Sequence, residues 1–163
     1  KSTVARLVAH DLQYVYVDTG AMYRAFTFLT LEAGHDPSSR TRMKQLLEKV
    51  DFHAEIAGQE ISLREGKRDL APHTRLPEVN AAVSPVSALP ELREYLVNLQ
   101  RKLRLSAPLV MEGRDIGTVV CSDSPFKYFM PPAISSTPLA LLRLSFVPPM
   151  PNFSIAVKMM PDL

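Results

Sequence analysis

Two short segments of the sequence combine side chains that could do chemistry. The first, "DTGAMYR", places a carboxylate, a hydroxyl, a phenol and a guanidinium between Asp18 and Arg24, directly after the strand-like run "YVYVD". The second, "MEGRDIGT", follows a buried-strand pattern and sets Glu112, Arg114 and Asp115 in a turn with two glycines. Ligands of open α/β folds bind beyond the carboxyl ends of the strands. We therefore expect both segments to meet at one edge of a sheet.

Each segment also has a purely structural interpretation. Asp18 could cap a helix that begins near Gly20, with Arg24 as a solvated surface charge. The turn from Glu112 to Asp115 could be held together by its own salt bridges. The residues alone leave both interpretations open.

The chain begins with a third candidate segment, Lys1-Ser2-Thr3. It matches the last positions of the phosphate-binding pattern G-x-x-x-x-G-K-[ST], whose lysine reaches the β- and γ-phosphates and whose hydroxyl holds Mg²⁺. Three residues by themselves favour the simpler interpretation of a solvated helix cap. Apolar positions at helical spacing start at Val4, so a helix begins almost at the first residue. We expect a further segment to precede Lys1.

Strands and helices alternate along the first 130 residues. A helix to about Gln13 leads to the strand "YVYVD" and the helix "TGAMYRAFTFLTLEAG", and a weaker helix, "SRTRMKQLLEKV", comes next. Alternating apolar residues around Gly58 predict an antiparallel hairpin within residues 50–70. Two helical stretches follow, one broken by Pro85 and one starting near Pro90. The runs "LVMEG" and "FKYFM" are further strands, so the pattern predicts a parallel α/β sheet with an antiparallel insertion.

Composition narrows the classes of protein. The chain has 163 residues, 46% of them hydrophobic and 22% charged, which suits one soluble domain with a substantial core. A net charge of +2 does not favour general nucleic-acid binding. One cysteine and four histidines without metal-ligand spacing indicate neither a disulfide framework nor a zinc site. With no run long enough for a membrane span and no signal peptide, we expect a cytoplasmic protein.

Residues 131–163 differ in character from the rest of the chain. They hold seven of the 14 prolines, no glycine and three charged residues, namely Arg143, Lys158 and Asp162. The run "LALLRLSFV" is too short to cross a bilayer. We interpret this tail as an out-of-frame translation or gene-end artefact, with a lineage-specific extension as the alternative.

Taken together and in order, four segments resemble the bacterial cytidylate kinases, P-loop nucleoside monophosphate kinases that phosphorylate CMP. They are "KSTVARLVA", "YVDTGAMYRA", "RLPEVNAAVSPVSALPELREYL" and "VMEGRDIGTVV". The resemblance covers residues 1–129. It implies a three-layer P-loop fold with a parallel sheet, residues 1–130 as the kinase-like domain, and a CMP-binding insertion at about 37–95. It also implies an incomplete fold, because the first strand, the glycine-rich loop and the arginine-bearing lid have no match. That first strand lies centrally in the family, so its absence should leave unpaired ladder edges between "LVMEG" and "FKYFM" and make the fragment unstable.

The resemblance also assigns roles to residues. It implies a CMP site lined by Asp18, Thr19, Tyr23, Arg24, Ser84, Arg93, Arg114 and Asp115. It places Arg24 on the CMP phosphate, Ser84 and Arg93 on cytosine or phosphate, and Asp115 on the sugar or base edge. It implies an ATP site at Lys1, Ser2 and Thr3, with Ser2 holding Mg²⁺ through ATP. Lys1, Arg24 and Arg114 would be the catalytic cations, and Glu112 a strand-end carboxylate near the metal.

The expected activity is ATP-dependent phosphorylation of CMP or dCMP by a monomer without nucleic-acid or membrane partners. Because the glycine loop and the lid arginines are unmatched, we expect this chain to have no turnover above background, and any residual binding to favour CMP over ATP. Two alternatives stay open: a non-catalytic fragment with residual nucleotide binding, and a monophosphate kinase for another base.

Overall fold

The chain forms a parallel sheet with helices on both faces and a smaller antiparallel sheet beside it. The computed structural model describes residues 2–130 and the strand at 154–159. In chain order the elements are α1 (Ser2–Leu12), β1 (Val15–Asp18), α2 (Thr19–Glu32), α3 (Arg40–Lys49), β2 (Phe52–Ala57), β3 (Glu60–Glu65), β4 (Arg68–Asp69), a 3₁₀ turn (Ala71–His73), α4 (Pro77–Ser87), α5 (Pro90–Ser106), β5 (Leu109–Gly113), a π-helical turn (Ile116–Val120), β6 (Phe126–Met130) and β7 (Ser154–Met159). This arrangement confirms the predicted α/β class.

The parallel sheet has the strand order β1-β5-β7-β6. β1 and β5 pair in parallel from Val15↔Leu109 to Asp18↔Glu112. The two chemistry-bearing segments therefore leave the sheet at the same edge, as the sequence predicts.

The two faces of the sheet are covered by different helices. On one face Ala5 and Ala9 of α1 pack against Tyr14, Tyr16 and Val110. On the other face α2 and α5 form the larger core with Val15, Val17, Leu109 and Met111 and with buried side chains of their own, among them Met22, Phe26, Leu92 and Leu96. Alternation along β1 divides its side chains between the two cores, because successive residues of a strand point to opposite faces.

The antiparallel sheet confirms the predicted hairpin. β2 and β3 pair from Phe52↔Glu65 to Ala57↔Glu60 around a turn in which Gly58 has a φ of 65°. The short strand β4 extends this sheet beside β3. The hairpin turn reaches the larger sheet, where the Gln59 carbonyl accepts a hydrogen bond from the Tyr16 N–H at 2.8 Å. The bounds of the CMP-binding insertion, 37–95, stay a prediction.

One predicted helix break is wrong. The sequence predicts that Pro85 interrupts its helix, but α4 continues to Ser87. Pro85 stands in the last turn, so its missing N–H removes one intrahelical bond close to the point where the helix ends in any case. The N–H groups of Ala88 and Leu89 then bond to the carbonyls of Pro85 and Val86.

The predicted gap in the parallel sheet is also wrong. β7 lies between β5 and β6 and pairs in parallel with both, Lys158 standing opposite Gly113 on one side and Phe129 on the other. Two facing ladders of unpaired backbone groups favour a strand between them, and the β-branched residues Ile155 and Val157 suit one. The rest of the tail, 131–153 and 160–163, lies outside the described residues, so its interpretation stays a prediction.

Candidate active site

The carboxyl end of β1 places Asp18 and Arg24 side by side. Asp18 caps α2, because its Oδ1 accepts a hydrogen bond from the Ala21 N–H at 3.1 Å. Its Oδ2 accepts a second bond from Arg24 Nη2 at 2.9 Å. The side chain of Arg24 is only 22% exposed, so Arg24 is not the solvated surface charge of the purely structural interpretation. Asp18 is both a helix cap and the partner of a half-buried guanidinium.

Gly20 gives the Arg24 guanidinium its position. A Cβ on Gly20 would lie 3.0 Å from Arg24 Nη1 and 3.1 Å from Asp18 Oδ1. The guanidinium therefore folds back across the glycine to reach Asp18. Its Nε is buried and makes no hydrogen bond within the described part of the chain. Arg24 thus has one buried donor without a protein partner at residues 2–130.

Thr19 ties the two strand ends together. Its hydroxyl donates a hydrogen bond to the carbonyl oxygen of Glu112 at 2.8 Å, and its side chain is buried. The next residue, Gly113, passes so close that a Cβ there would lie 2.3 Å from Thr19 Oγ1. Only glycine fits at this crossing. The predicted turn after β5 is thus fixed against the start of α2.

Glu112 is a buried carboxylate at the end of β5. It is 1% exposed, and its Oε1 accepts a hydrogen bond from the Tyr16 hydroxyl at 2.5 Å. Burial raises the pKa of the Tyr16 phenol well above its ordinary value, and the neighbouring Glu112 carboxylate adds to the rise. Tyr16 therefore stays a neutral donor to Glu112.

A second group forms where the turn after β5 meets α5. Arg93 and Asp115 form an ion pair there. Tyr23 lies close enough to both for their charges to act on it: burial raises the pKa of its phenol, the Arg93 charge opposes that rise, and Asp115 adds to it. The structure therefore brings together these three predicted site residues. Arg114 is exposed beside them, and its side chain makes no hydrogen bond or ion pair within residues 2–130.

The remaining predicted residues are less closely tied to these groups. Ser84 is exposed on α4, and in the described part of the chain no hydrogen bond joins its side chain to the other predicted site residues. Ser2 and Thr3 form the exposed first turn of α1. Lys1 lies outside the described residues.

Sequence reasoning missed Tyr16 as a site residue. Its signal lay in the alternation of "YVYVD", which puts Tyr14, Tyr16 and Asp18 on one face of the strand. The pairing with Glu112 depends on the register of β1 on β5, across 96 residues of chain. Periodicity within one segment does not carry that information.

Other features of the described residues do not compete with this site. A surface cleft of about 440 Å³ lies between α3 and the start of α5 and is lined by Arg40, Thr41, Lys44, Gln45, Glu48 and Glu91, none of them a predicted site residue. Three or more His, Cys, Asp or Glu side chains suited to holding a metal do not cluster anywhere in the described ranges. A helix of the length and apolarity that crossing a membrane requires does not occur there either.

Comparison with known proteins gives one family. The family model described as Cytidylate kinase matches residues 1–136. A cytidylate kinase of Carboxydothermus hydrogenoformans is 47% identical over 132 residues, which are 80% of this chain and 59% of that protein. A cytidylate kinase of Limosilactobacillus reuteri is 44% identical over 132 residues, 80% of this chain and 57% of that protein. A cytidylate kinase of Lactobacillus johnsonii is 40% identical over 138 residues, 83% of this chain and 59% of that protein.

The chain belongs to the cytidylate kinase family. It spans less than three fifths of the length of the curated relatives it matches.

Proposed function

We propose that the chain takes part in ATP-dependent transfer of a phosphoryl group to CMP or dCMP, with the acceptor nucleotide bound at the carboxyl edge of β1 and β5. Family membership and the convergence of "DTGAMYR" and "EGRDIGT" at one edge support this proposal. The expected products are the cytidine diphosphate and ADP.

The observation that carries the proposal is the state of Arg24. Its Nη2 is held by Asp18, while its buried Nε lacks a partner within residues 2–130. A buried donor without a partner costs about 1–3 kcal/mol. A phosphate oxygen would satisfy that donor with a charge-assisted bond. Arg24 is therefore the proposed anchor of the CMP phosphate.

We propose that the residues around Asp115 bind the nucleoside and the phosphoryl group that is transferred. Asp115 and Tyr23 offer a carboxylate and a phenol for the sugar or base edge, and Arg93 stands beside them. Arg114 is a cation without a protein partner within residues 2–130. We assign it to the phosphates, and Ser84 on α4 to cytosine.

We propose that ATP binds at the start of α1. Lys1, Ser2 and Thr3 match the end of the phosphate-binding loop. The fitness of this place for Mg²⁺ rests on the chemistry of two oxygen donors, the Ser2 hydroxyl at the start of α1 and the buried Glu112 carboxylate in β5. Mg²⁺ takes oxygen ligands and is held by one or two carboxylates together with phosphates and water. When bound, it would neutralise charge on the transferring phosphates.

This chemistry needs no general base from the protein. The acceptor is a phosphate whose second pKa is near 6, by analogy with phosphorylated side chains, so its oxygen is largely anionic at neutral pH. The contribution of the chain is alignment and charge neutralisation by Lys1, Arg24 and Arg114.

A calorimetric titration with CMP, UMP and AMP tests the proposal. Wild type should bind CMP most tightly, and Arg24→Ala should remove most of that binding. Arg40→Ala is the matched control, because Arg40 pairs with Glu91 at 2.9 Å in the cleft beside α3 and touches no site residue. Tighter binding of UMP or AMP than of CMP would favour a kinase for another base, and weak or no binding of all three would favour a non-catalytic fragment. An assay of ADP release with CMP present then separates a kinase from a binding fragment, and for residues 1–163 as they stand we expect no turnover above background, because the glycine loop and the lid arginines are unmatched.

A further inference from the structure

Two arginines near the end of α5 contact the segment that follows the proposed acceptor site. Arg101 Nη2 donates a hydrogen bond to the Val119 carbonyl at 2.8 Å. Arg104 Nη1 donates one to the Val120 carbonyl at 2.7 Å. Both carbonyls belong to the end of the π-helical turn Ile116–Val120. The proposed function gives neither arginine a role.

These carbonyls lie where a helix needs donors from elsewhere. The last carbonyls of a helix have no partner within it, and basic side chains are one way to satisfy them. Arg104 also holds the chain beyond the turn, because its Nη2 lies 2.8 Å from Asp123 Oδ1. The Arg104 side chain is only 17% exposed. The fork of its guanidinium thus joins the end of the turn to the loop that follows.

The same helix holds the beginning of this segment. Arg93 forms an ion pair with Asp115, the residue directly before the turn. Arg101 and Arg104 lie about two and three helical turns beyond Arg93, on the same side of α5. One helix therefore holds the segment from Asp115 to the end of the turn at both ends.

The position of Asp115 depends on the turn after it. The Asp115 carbonyl accepts a hydrogen bond from the Val119 N–H at 2.8 Å. A shift at the end of the turn would therefore pass to the backbone of Asp115 and to its neighbour Arg114. Ile116 and Val120 are each 2% exposed and anchor the turn in the core. Loss of one guanidinium should thus displace the turn without unfolding the protein.

We infer that Arg101 and Arg104 are positioning residues, which hold the end of the π-helical turn and thereby set Arg114 and Asp115 in the CMP site. The inference rests on the proposed function, since it needs Arg114 and Asp115 at the nucleotide. The two arginines differ in one respect: Arg101 makes a single bond to the turn, whereas Arg104 holds two partners at once. A lysine can replace a single charge-assisted bond but not a fork.

Calorimetric titration with CMP tests the inference, at a temperature where circular dichroism shows every variant to be folded. Arg101→Ala and Arg104→Ala should each weaken CMP binding by about 10-fold, the worth of one charge-assisted hydrogen bond. Arg101→Lys should recover most of that loss, and Arg104→Lys only part of it. Lys102→Ala is the matched control and should bind CMP as wild type does. Lys102 is exposed between the two arginines, and its ammonium makes no hydrogen bond or ion pair within residues 2–130.

Amide spectra of the nucleotide-free protein separate positioning from general stability. In Arg104→Ala the signals of residues 114–120 should shift, because the turn loses the donor at its end. The signals of residues 18–24, at the end of β1, should stay as in wild type. Lys102→Ala should leave both groups unchanged.

Each other outcome has a definite meaning. Wild-type CMP affinity in both alanine variants, or unchanged signals at residues 114 and 115 in Arg104→Ala, would overturn the inference and leave the proposed function intact. Amide shifts spread over the whole sheet, or a loss of affinity that Arg101→Lys does not recover, would assign the two arginines a structural role only and overturn it as well. A wild type that binds no CMP would overturn the proposed function, and this inference with it.

Discussion

Substitution of Gly113 by alanine tests the crossing of the two strand ends. The new Cβ would lie 2.3 Å from Thr19 Oγ1 and 2.7 Å from Ile116 Cγ1, both far inside ordinary contact. Thr19 and Ile116 are 4% and 2% exposed, so neither side chain can turn out into solvent. Either the Thr19 hydroxyl gives up its 2.8 Å bond to the Glu112 carbonyl, or the turn after β5 moves.

The expected loss of stability follows from those contacts. Losing a buried hydrogen-bond partner costs about 1–3 kcal/mol, and forcing extra volume against Ile116 costs about 1–3 kcal/mol more. We expect Gly113→Ala to be at least about 2 kcal/mol less stable than wild type. Since 1 kcal/mol moves the Tm of a domain of this size by about 2–4 °C, the Tm should fall by at least about 4 °C. The displaced turn carries Arg114 and Asp115, so CMP affinity should fall as well.

Gly117→Ala is the matched control in the same segment. A Cβ at Gly117 would first meet Lys127 Cδ at 3.6 Å, an ordinary contact. Its stability should stay within about 1 kcal/mol of wild type. Thermal and urea unfolding of both variants, followed by circular dichroism, measure the difference. A Gly113→Ala protein as stable as Gly117→Ala would refute the close crossing. Adding Thr19→Ala should relieve part of the Gly113→Ala penalty, so the two losses should not add.

Three further predictions concern charge, base recognition and pH. Arg24→Lys should weaken CMP binding about 10- to 100-fold, since it loses a charge-assisted hydrogen bond worth about 1.5–3 kcal/mol, whereas Arg40→Lys should not; equal affinities in titrations of the two variants would contradict this. Ser84→Ala should weaken CMP binding by about 1–3 kcal/mol and ATP binding less, and equal losses for both nucleotides would remove Ser84 from the base site. The pKa of Tyr16 is raised in the folded protein above its ordinary value of 10.0, so the native state keeps this proton longer than the unfolded chain does. The stability that this hydroxyl contributes should therefore be complete below pH 10.0 and fall as the pH rises above 10.0. The difference in the free energy of unfolding between wild type and Tyr16→Phe, measured with urea, should shrink over the same rise in pH. A difference that stays constant above pH 10.0 would show that the phenol has an ordinary pKa.

Local signals in the sequence were sufficient for most elements and for both site segments. Asp18 before a glycine and a helical pattern predicted the cap of α2, and parallel strands explain why Asp18 and Glu112 share an edge. Pro85 does not break α4 because it stands two residues before the helix ends, where its missing N–H removes only one of the last intrahelical bonds.

Contacts between distant segments could not be predicted in this way. The bond from Tyr16 to Glu112 and the crossing of Gly113 over Thr19 depend on strand register and on the approach of two backbones. The sequence did not predict β7, which lies in the proline-rich tail. Its place in the sheet is set by pairing with β5 and β6 and only weakly by its own six residues.

The most direct test of the proposed acceptor site is a map of where CMP binds. Amide spectra of isotope-labelled protein, recorded during a CMP titration, report each backbone position separately. We predict that the largest shifts fall at Asp18–Arg24 and Arg114–Asp115, at the common edge of β1 and β5, and that the α3 cleft around Lys44 stays unchanged. Shifts centred on that cleft, or no shifts at the strand ends at saturating CMP, would contradict the proposed acceptor site.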